Sequence, residues 1–140
     1  MNAFDTIIGY EEEKKEFMRL VDIMENRVMA ILGGRAATEI TFGTTDVGAN
    51  SDLHRAFDIV ERFADNYCTY GFGEFERNTT MGTHAMDRKD TVISIEMQRY
   101  YSEARRILCE HRALLDRVAS MLIEKKIILR KDMDEIFAAA

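Results

Sequence analysis

Residues that could bind a metal or perform nucleophilic chemistry are few in this chain of 140 residues. The three histidines are His54, His84 and His111, and none of them has another histidine four residues away. The sequence contains no H-E-x-x-H segment, which would place two histidines on one helical face for zinc, and no G-x-x-x-x-G-K-[ST] phosphate-binding loop. The residue spacing therefore predicts neither a complete zinc site nor a nucleotide-binding loop.

One acidic residue is distinguished by its position. Asp52 follows a polar, glycine-containing connector at 42–50. It shares a helical face with Ala56 and Phe63, at the border of an apolar stripe. A carboxylate held at a rigid helix start is suited to act as a metal ligand. The simpler interpretation, which the residues alone favour, is that Asp52 complements the positive end of the helix dipole.

The other candidate residues have ordinary structural explanations. His111 lies within an apolar row, so we expect a core histidine with a hydrogen-bond partner. His54 falls on the polar side of its helix and is expected to be solvated, and nothing near His84 completes a metal site. Cys68 and Cys109 form no C-x-x-C pair, so we expect reduced thiols in a cytosolic setting.

Helices must position these side chains in the first half of the chain. Apolar residues recur at helical spacing within 10–42 and again, most regularly, within 52–69. The pair Gly33 and Gly34 either ends the first helix or lets another backbone come close to it. Asparagine or serine at 50–51 is expected to cap the second helix.

The second half predicts a loop followed by more helix. Residues 70–89 contain scattered glycine and polar residues, which are typical of a loop. From 94 to 124, apolar residues alternate by four and three, which predicts a helix of roughly 30 residues that could break near Glu110. A short helix is expected at 131–137. With no proline to interrupt helices, the sequence predicts an all-α fold, a helical bundle with one long C-terminal helix or helix pair.

Composition and charge limit the classes of function. A chain of this length, 46% hydrophobic, is expected to fold as one domain. The formal net charge of −6 argues against nucleic-acid binding and against attachment to anionic lipid through a polybasic segment. No apolar run approaches the roughly 18 residues of a membrane helix, and no signal-peptide pattern is present. We therefore expect no membrane segment in this chain and a cytoplasmic location.

A resemblance to a known family lies in two adjoining segments, NRVMAILGGRAATEITFG and TTDVGANSDLHRAFDIVERFADNY. They resemble the peptidase domain of the FtsH-type ATP-dependent zinc metalloproteases. In that family a helix ending in a double glycine leads to a T-x-G-A-x-N-D-L-like segment, whose aspartate is the third zinc ligand. Asp52 matches this ligand, although Ser51 separates it from Asn50 where the family usually has asparagine directly before the acid. The C-terminal segment SEARRILCEHRALLDRVASMLIEKKIILRKDMDEIF also resembles the family's last helices.

The resemblance implies a site that this chain does not complete. Two zinc histidines and a general-base glutamate are expected in an H-E-x-x-H helix ahead of Asn26, and nothing here matches them. Zinc and ATP are cofactors of the parent family, and we expect none for this chain. A weaker resemblance, of FDTIIGYEEEKKEFMRLVDIMEN to the start of the family's ATPase module, divides the chain into a remnant of that module at 1–26 and the C-terminal part of the peptidase domain at 27–137.

Two functions follow from these resemblances. The first is a partial peptidase domain of an FtsH-like protease, predicted inactive because the zinc histidines, the general-base glutamate and the Walker loop are missing. The alternative is a non-catalytic interaction or assembly module. Because the family forms hexameric rings, such a module could be a homo-oligomer, or it could bind another protein through its helical faces. The parent family is membrane-anchored, with this domain on the soluble side.

Overall fold

The computed structural model describes residues 3–45, 50–67 and 83–139, with side chains from residue 11 and, after the second gap, from residue 86. These residues form five helices and no strand, which confirms the predicted all-α bundle with a C-terminal helix pair. The helices are α1 (Ala3–Phe42), α2 (Asn50–Tyr67), α3 (Thr83–Glu110), α4 (Arg112–Lys125) and α5 (Arg130–Ala138). Among them, none combines the length and apolar character that crossing a membrane requires.

The hydrophobic core lies between α1, α2 and α3. Each helix contributes apolar side chains at intervals of four or seven residues, which places them on one face of the helix. The buried members are Val28, Leu32, Ala56, Val60, Ala64, Ile93 and Tyr100. α4 and α5 pack mainly on each other, and α4 has no fully buried side chain.

α1 is a single helix of 40 residues. The pair Gly33 and Gly34 does not end it, and a Cβ atom added at either glycine would meet no described atom within 4 Å. Both sequence interpretations of the pair, a helix end or a close backbone approach, are therefore wrong for the described residues. The helix ends before Gly43, whose φ of +71° is a left-handed conformation that glycine adopts without strain. The N–H of Gly43 donates to the carbonyl oxygen of Glu39 at 2.8 Å.

Other helix ends also differ from the predicted ones. α2 begins at Asn50, so residues 50–51 lie within the helix instead of capping it. Of the predicted loop, 83–89 belongs to α3, while 70–82 lies outside the described residues, as does Cys68. The segment THAMDRK at the start of α3 has no apolar stripe, which is why periodicity did not predict it. The last helix extends by one residue at each end beyond the predicted 131–137.

The predicted helix at 94–124 is interrupted at His111, whose φ of −110° and ψ of 33° depart from helical values. His111 was expected in the core, but it is exposed and its side chain makes no capping hydrogen bond. After the interruption α4 packs mainly on α5, and none of its side chains is fully buried. A pattern of apolar residues marks a helix face but does not say whether another helix covers that face.

Candidate functional site

Asp52 stands in the first turn of α2, as the sequence predicted. Its side chain is 39% exposed, and its Oδ1 lies 3.3 Å from Nη1 of Arg55, one turn further along the same helix. Among the described residues, no group of three His, Cys, Asp or Glu side chains could hold a metal ion. Because zinc in proteins takes three or four such ligands, the described surroundings of Asp52 do not fit a zinc ion.

The histidines do not join Asp52 in a common site within the described structure. His54 is exposed on α2, as predicted. His111 is exposed at the junction of α3 and α4. The backbone of His84 lies in the first turn of α3 instead of a loop, and its side chain is outside the description. Cys109 is free and exposed within the described residues, and the expected reduced state of the two cysteines stays a prediction.

A cleft of about 730 Å³ opens between α1, α2 and α3 beside Asp52's neighbours on α2. Its volume falls within the range of ligand-binding clefts. Its apolar lining comes from Leu32, Leu53, Phe57 and Met97, and its polar lining includes Arg35, His54, Asp90 and Tyr101. Because these residues come from three separate helices, no local sequence motif could have revealed the cleft.

Tyr101 connects α3 to α1 at the edge of this cleft. Its hydroxyl group donates a hydrogen bond to Oε2 of Glu39. Burial raises the pKa of Tyr101, and the hydrogen bond to Glu39 raises it further, so the hydroxyl stays protonated at neutral pH. Arg105 pairs with the other oxygen of Glu39 at 3.6 Å. Since these side chains satisfy one another, they hold the two helices together and do not form an activated acid or base.

Two further ion-pair groups hold α3 between its neighbours. Arg99 Nη2 lies 2.7 Å from Oε1 of Glu25 on α1. On the other side, Lys89 Nζ lies 3.0 Å from Oε1 of Glu61 and 2.9 Å from Oδ1 of Asp65 on α2. Burial lowers the pKa of Lys89, but the hydrogen bonds to Asp65 and Glu61 outweigh this effect and raise it overall. These contacts fix the relative positions of the helices that line the cleft.

The chain is similar to known proteins over most of its length. The model of Peptidase family M41 matches residues 10–136. The ATP-dependent zinc metalloprotease FtsH 2 of Phytoplasma mali (strain AT) is 31% identical over 115 residues, 79% of this chain and 17% of that protein. The ATP-dependent zinc metalloprotease FtsH of Nitrosococcus oceani is 30% identical over 143 residues, 91% of this chain and 22% of the relative. The ATP-dependent zinc metalloprotease FtsH 2 of Thermoanaerobacter sp. (strain X514) is 28% identical over 141 residues, which are 96% of this chain and 26% of that protein.

The chain spans only 17% to 26% of the length of these curated relatives. The division predicted between residues 26 and 27 stays a prediction. The family match nevertheless covers nearly all of the described helices, including α2 with Asp52. The expected relationship is therefore confirmed, and the chain belongs to peptidase family M41, the family of the FtsH-type zinc metalloproteases.

Proposed function

We propose that this chain is a helical part of an FtsH-like peptidase domain that does not hydrolyse peptides by itself. The observation that carries the proposal is the contact of Asp52 with Arg55 on its own helix. Asp52 occupies the position of the third zinc ligand in the family resemblance. Peptide hydrolysis by a zinc enzyme requires further metal ligands and a base that activates water. The 140 residues contain no H-E-x-x-H segment to supply them.

The retained role of the chain is then structural. The first turn of α2 is held by the burial of Ala56 and by the packing of Leu53 against the core. Such a rigid mount is what a metal ligand requires in an active relative. Protein degradation, with zinc and ATP as cofactors, is the activity that we assign to the parent family, whose relatives bear the name ATP-dependent zinc metalloprotease. For this chain we expect neither cofactor and a cytoplasmic location.

Activity and metal binding of the purified chain test this proposal. We expect no casein degradation, no ATP hydrolysis and no zinc site of sub-micromolar affinity. Asp52→Asn should change the free energy of unfolding by less than about 1 kcal/mol, because among the described residues Asp52 interacts with the helix dipole and with one exposed partner, Arg55. Casein degradation that requires zinc and disappears with both a chelator and Asp52→Ala would overturn the proposal.

The second candidate function is an assembly module, and exposed apolar residues on α1 favour it. Met18 and Ile23 are 50% and 52% exposed, and Leu20 is 40% exposed. Exposed apolar residues of this kind are suited to pack against another protein, including further copies of the chain in a ring. We expect Met18→Glu/Ile23→Glu to reduce the molar mass measured by light scattering if the parent chain is oligomeric. Met86→Glu/Ile95→Glu, at comparably exposed sites on α3, is the matched control.

A monomeric parent chain at all accessible concentrations would exclude self-assembly through α1. An oligomer that both double variants disrupt equally would also contradict this location of the interface. The assembly module and the inactive peptidase part are distinguishable, because the first is tested by molar mass and the second by hydrolysis and zinc binding.

A further inference from the structure

The cleft between α1, α2 and α3 runs along one face of α3. Asp90, Ser94, Met97 and Tyr101 line it at intervals of three or four residues, which is the spacing of a single helical face. From Asp90 to Tyr101 the helix rises roughly 16 Å, at about 1.5 Å per residue. These two residues therefore mark opposite ends of the wall that α3 contributes to the cleft.

The two ends of the cleft carry opposite charges. At one end, Asp90 is exposed and its side chain has no partner among the described residues. At the other end, burial and Glu39 raise the pKa of Tyr101, and Arg35, beside the same hydroxyl group, acts in the opposite direction. Arg35 is half-buried and forms no ion pair in the described part of the chain, while the oxygens of Glu39 are engaged by Tyr101 and Arg105. One acid and one base of the cleft thus remain available to a ligand.

Between the two charges, the lining of the cleft changes from apolar to polar towards the solvent. Leu32 is buried and Met97 is half-buried, whereas Ser94 and Gln98 are exposed. The amide nitrogen of Gln98 donates to Oγ of Ser102 over 3.3 Å, which leaves the amide oxygen of Gln98 as a hydrogen-bond acceptor. A ligand in the cleft can therefore bury apolar groups and still form hydrogen bonds with exposed side chains.

We propose that this cleft binds a short peptide through both of its free termini. The terminal carboxylate would pair with Arg35 and the terminal ammonium group with Asp90. An extended chain covers about 3.3–3.6 Å per residue, so about four or five residues span the wall between the two charges. The apolar side chains of the peptide would pack against Leu32 and Met97.

Other small ligands match the cleft less well. The two charges of a free amino acid are too close together to reach both ends. A fatty acid could pair with Arg35, but its apolar tail would then lie against the carboxylate of Asp90 and remove water from it, which is costly. The proposed site needs neither Asp52 nor a metal ion, so it is independent of the function proposed above.

NMR titration of the isotopically labelled chain with the peptide Leu-Ala-Leu-Ala-Leu tests this proposal. We expect saturable shifts of the amide signals of the cleft. Amidation of the peptide's carboxyl terminus should weaken binding by at least about tenfold, because it removes a charge-assisted hydrogen bond to the half-buried Arg35. Acetylation of the amino terminus should weaken binding by about threefold, since Asp90 is exposed and exposed ion pairs contribute less.

Matched variants assign each terminus of the peptide to one end of the cleft. Arg35→Gln should bind the free and the amidated peptide equally well, and Asp90→Asn should bind the free and the acetylated peptide equally well. Arg27→Gln and Asp87→Asn, at exposed positions of α1 and α3 outside the cleft, should keep the preference of the parent chain for both free termini. This crossed pattern would not arise from a general loss of structure.

A bulky side chain in the cleft provides a further test. Ser94→Trp should abolish binding by filling the space that the peptide needs, whereas Ile95→Trp, at a residue 61% exposed on the same helix, should not. A folded parent chain without saturable binding at millimolar peptide would overturn the proposal. So would equal binding of the free and the end-blocked peptides, which would indicate that the cleft accepts an internal segment of a protein chain instead.

Discussion

Arg112, the first residue of α4, donates a hydrogen bond from Nη1 to the carbonyl oxygen of Ile40 on α1 over 3.2 Å. Ile40 belongs to the last turn of α1, whose carbonyl groups lack partners within the helix and carry the negative end of its dipole. The neighbouring carbonyl of Glu39 is satisfied by the N–H of Gly43. Arg112 thus completes the end of α1 and, at the same time, attaches α4 to it directly after the break at His111.

We predict that Arg112→Ala loosens α4 and α5 without loosening the three-helix core. Loss of this hydrogen bond should lower the free energy of local opening by about 1 kcal/mol, which corresponds to amide exchange about five times faster. Hydrogen exchange followed by mass spectrometry measures this for each helix. Arg106→Ala is the control, because Arg106 pairs with Glu103 and Glu110 on its own helix. Equal acceleration across all helices would contradict the prediction.

The glycine pair of α1 leads to a second prediction. Gly33→Ala and Gly34→Ala should each raise the free energy of unfolding by about 0.5–1 kcal/mol, because alanine loses less backbone entropy in a helix. The added methyl group would meet no described atom within 4 Å. Gly43→Ala, where φ is +71°, should destabilise the chain instead. Urea denaturation distinguishes the three variants, and a loss of stability at either helical glycine would show that something packs against it.

Two isoleucines on α3 provide a matched test of the core. Ile93 is fully buried and Ile95 is 61% exposed. Ile93→Ala should cost about 2–5 kcal/mol of unfolding free energy through lost burial and the cavity left behind. Ile95→Ala should stay within about 0.5 kcal/mol of the parent chain. Similar losses for both variants in chemical denaturation would mean that another surface covers Ile95.

The acid at the start of α5 predicts a pH dependence of stability. Asp132 is buried, and it accepts hydrogen bonds from Lys125 Nζ and from the N–H of Leu129, each at 2.8 Å. The bond from Lys125, followed by that from Leu129, lowers the pKa of Asp132. Its stabilising contribution is therefore complete above the unfolded-state pKa of about 3.9 and is lost as the pH falls through the folded-state value.

Thermal melts from neutral to strongly acidic pH measure this contribution. Asp132→Asn should lower the Tm at neutral pH, and the difference from the parent chain should shrink as the pH falls through the folded-state pKa of Asp132. Asp134→Asn, at an exposed position of the same helix, should change the Tm little at any pH. A deficit for Asp132→Asn that does not vary with pH would point to lost packing instead of lost charge.

The fold could be predicted from the sequence where the apolar stripe of one helix packs against the apolar stripe of another. Leu32, Val60 and Tyr100 all lie in the predicted rows of helical period, and all are buried. The first turns of α3 could not be predicted, because their residues are nearly all polar. Leu108 belongs to the same row as the buried Ala104, yet it is only partly buried because the chain approaches the break at His111. The spacing of apolar residues predicts where a helix forms, whereas the burial of its side chains also depends on which helices pack together.

At the candidate site, too, some features could be predicted from the sequence and others depend on the packing of the helices. The place of Asp52 in the first turn of α2 follows from the connector and the stripe that flank it, and the family resemblance follows from consecutive residues around it. Its contact with Arg55 could not be predicted, because sequence spacing alone does not decide which side chain pairs with a carboxylate. The cleft beside it depends on the packing of three helices, so residues such as Arg35 and Asp90 come together only in the folded chain.

The unbroken geometry of α1 does not imply uniform stability along its length. Side chains from Glu11 to Leu20 are all exposed, whereas Val28 and Leu32 are buried. The ring of Phe17, whose centroid lies 5.0 Å from that of Tyr67, marks where packing on the bundle begins. A helical segment with so little tertiary support is only marginally stable in water. Fraying should therefore spread inward from the N-terminal turns and stop near this aromatic contact. The two parts of this continuous helix should then unfold independently, although no break in its backbone hydrogen bonds separates them.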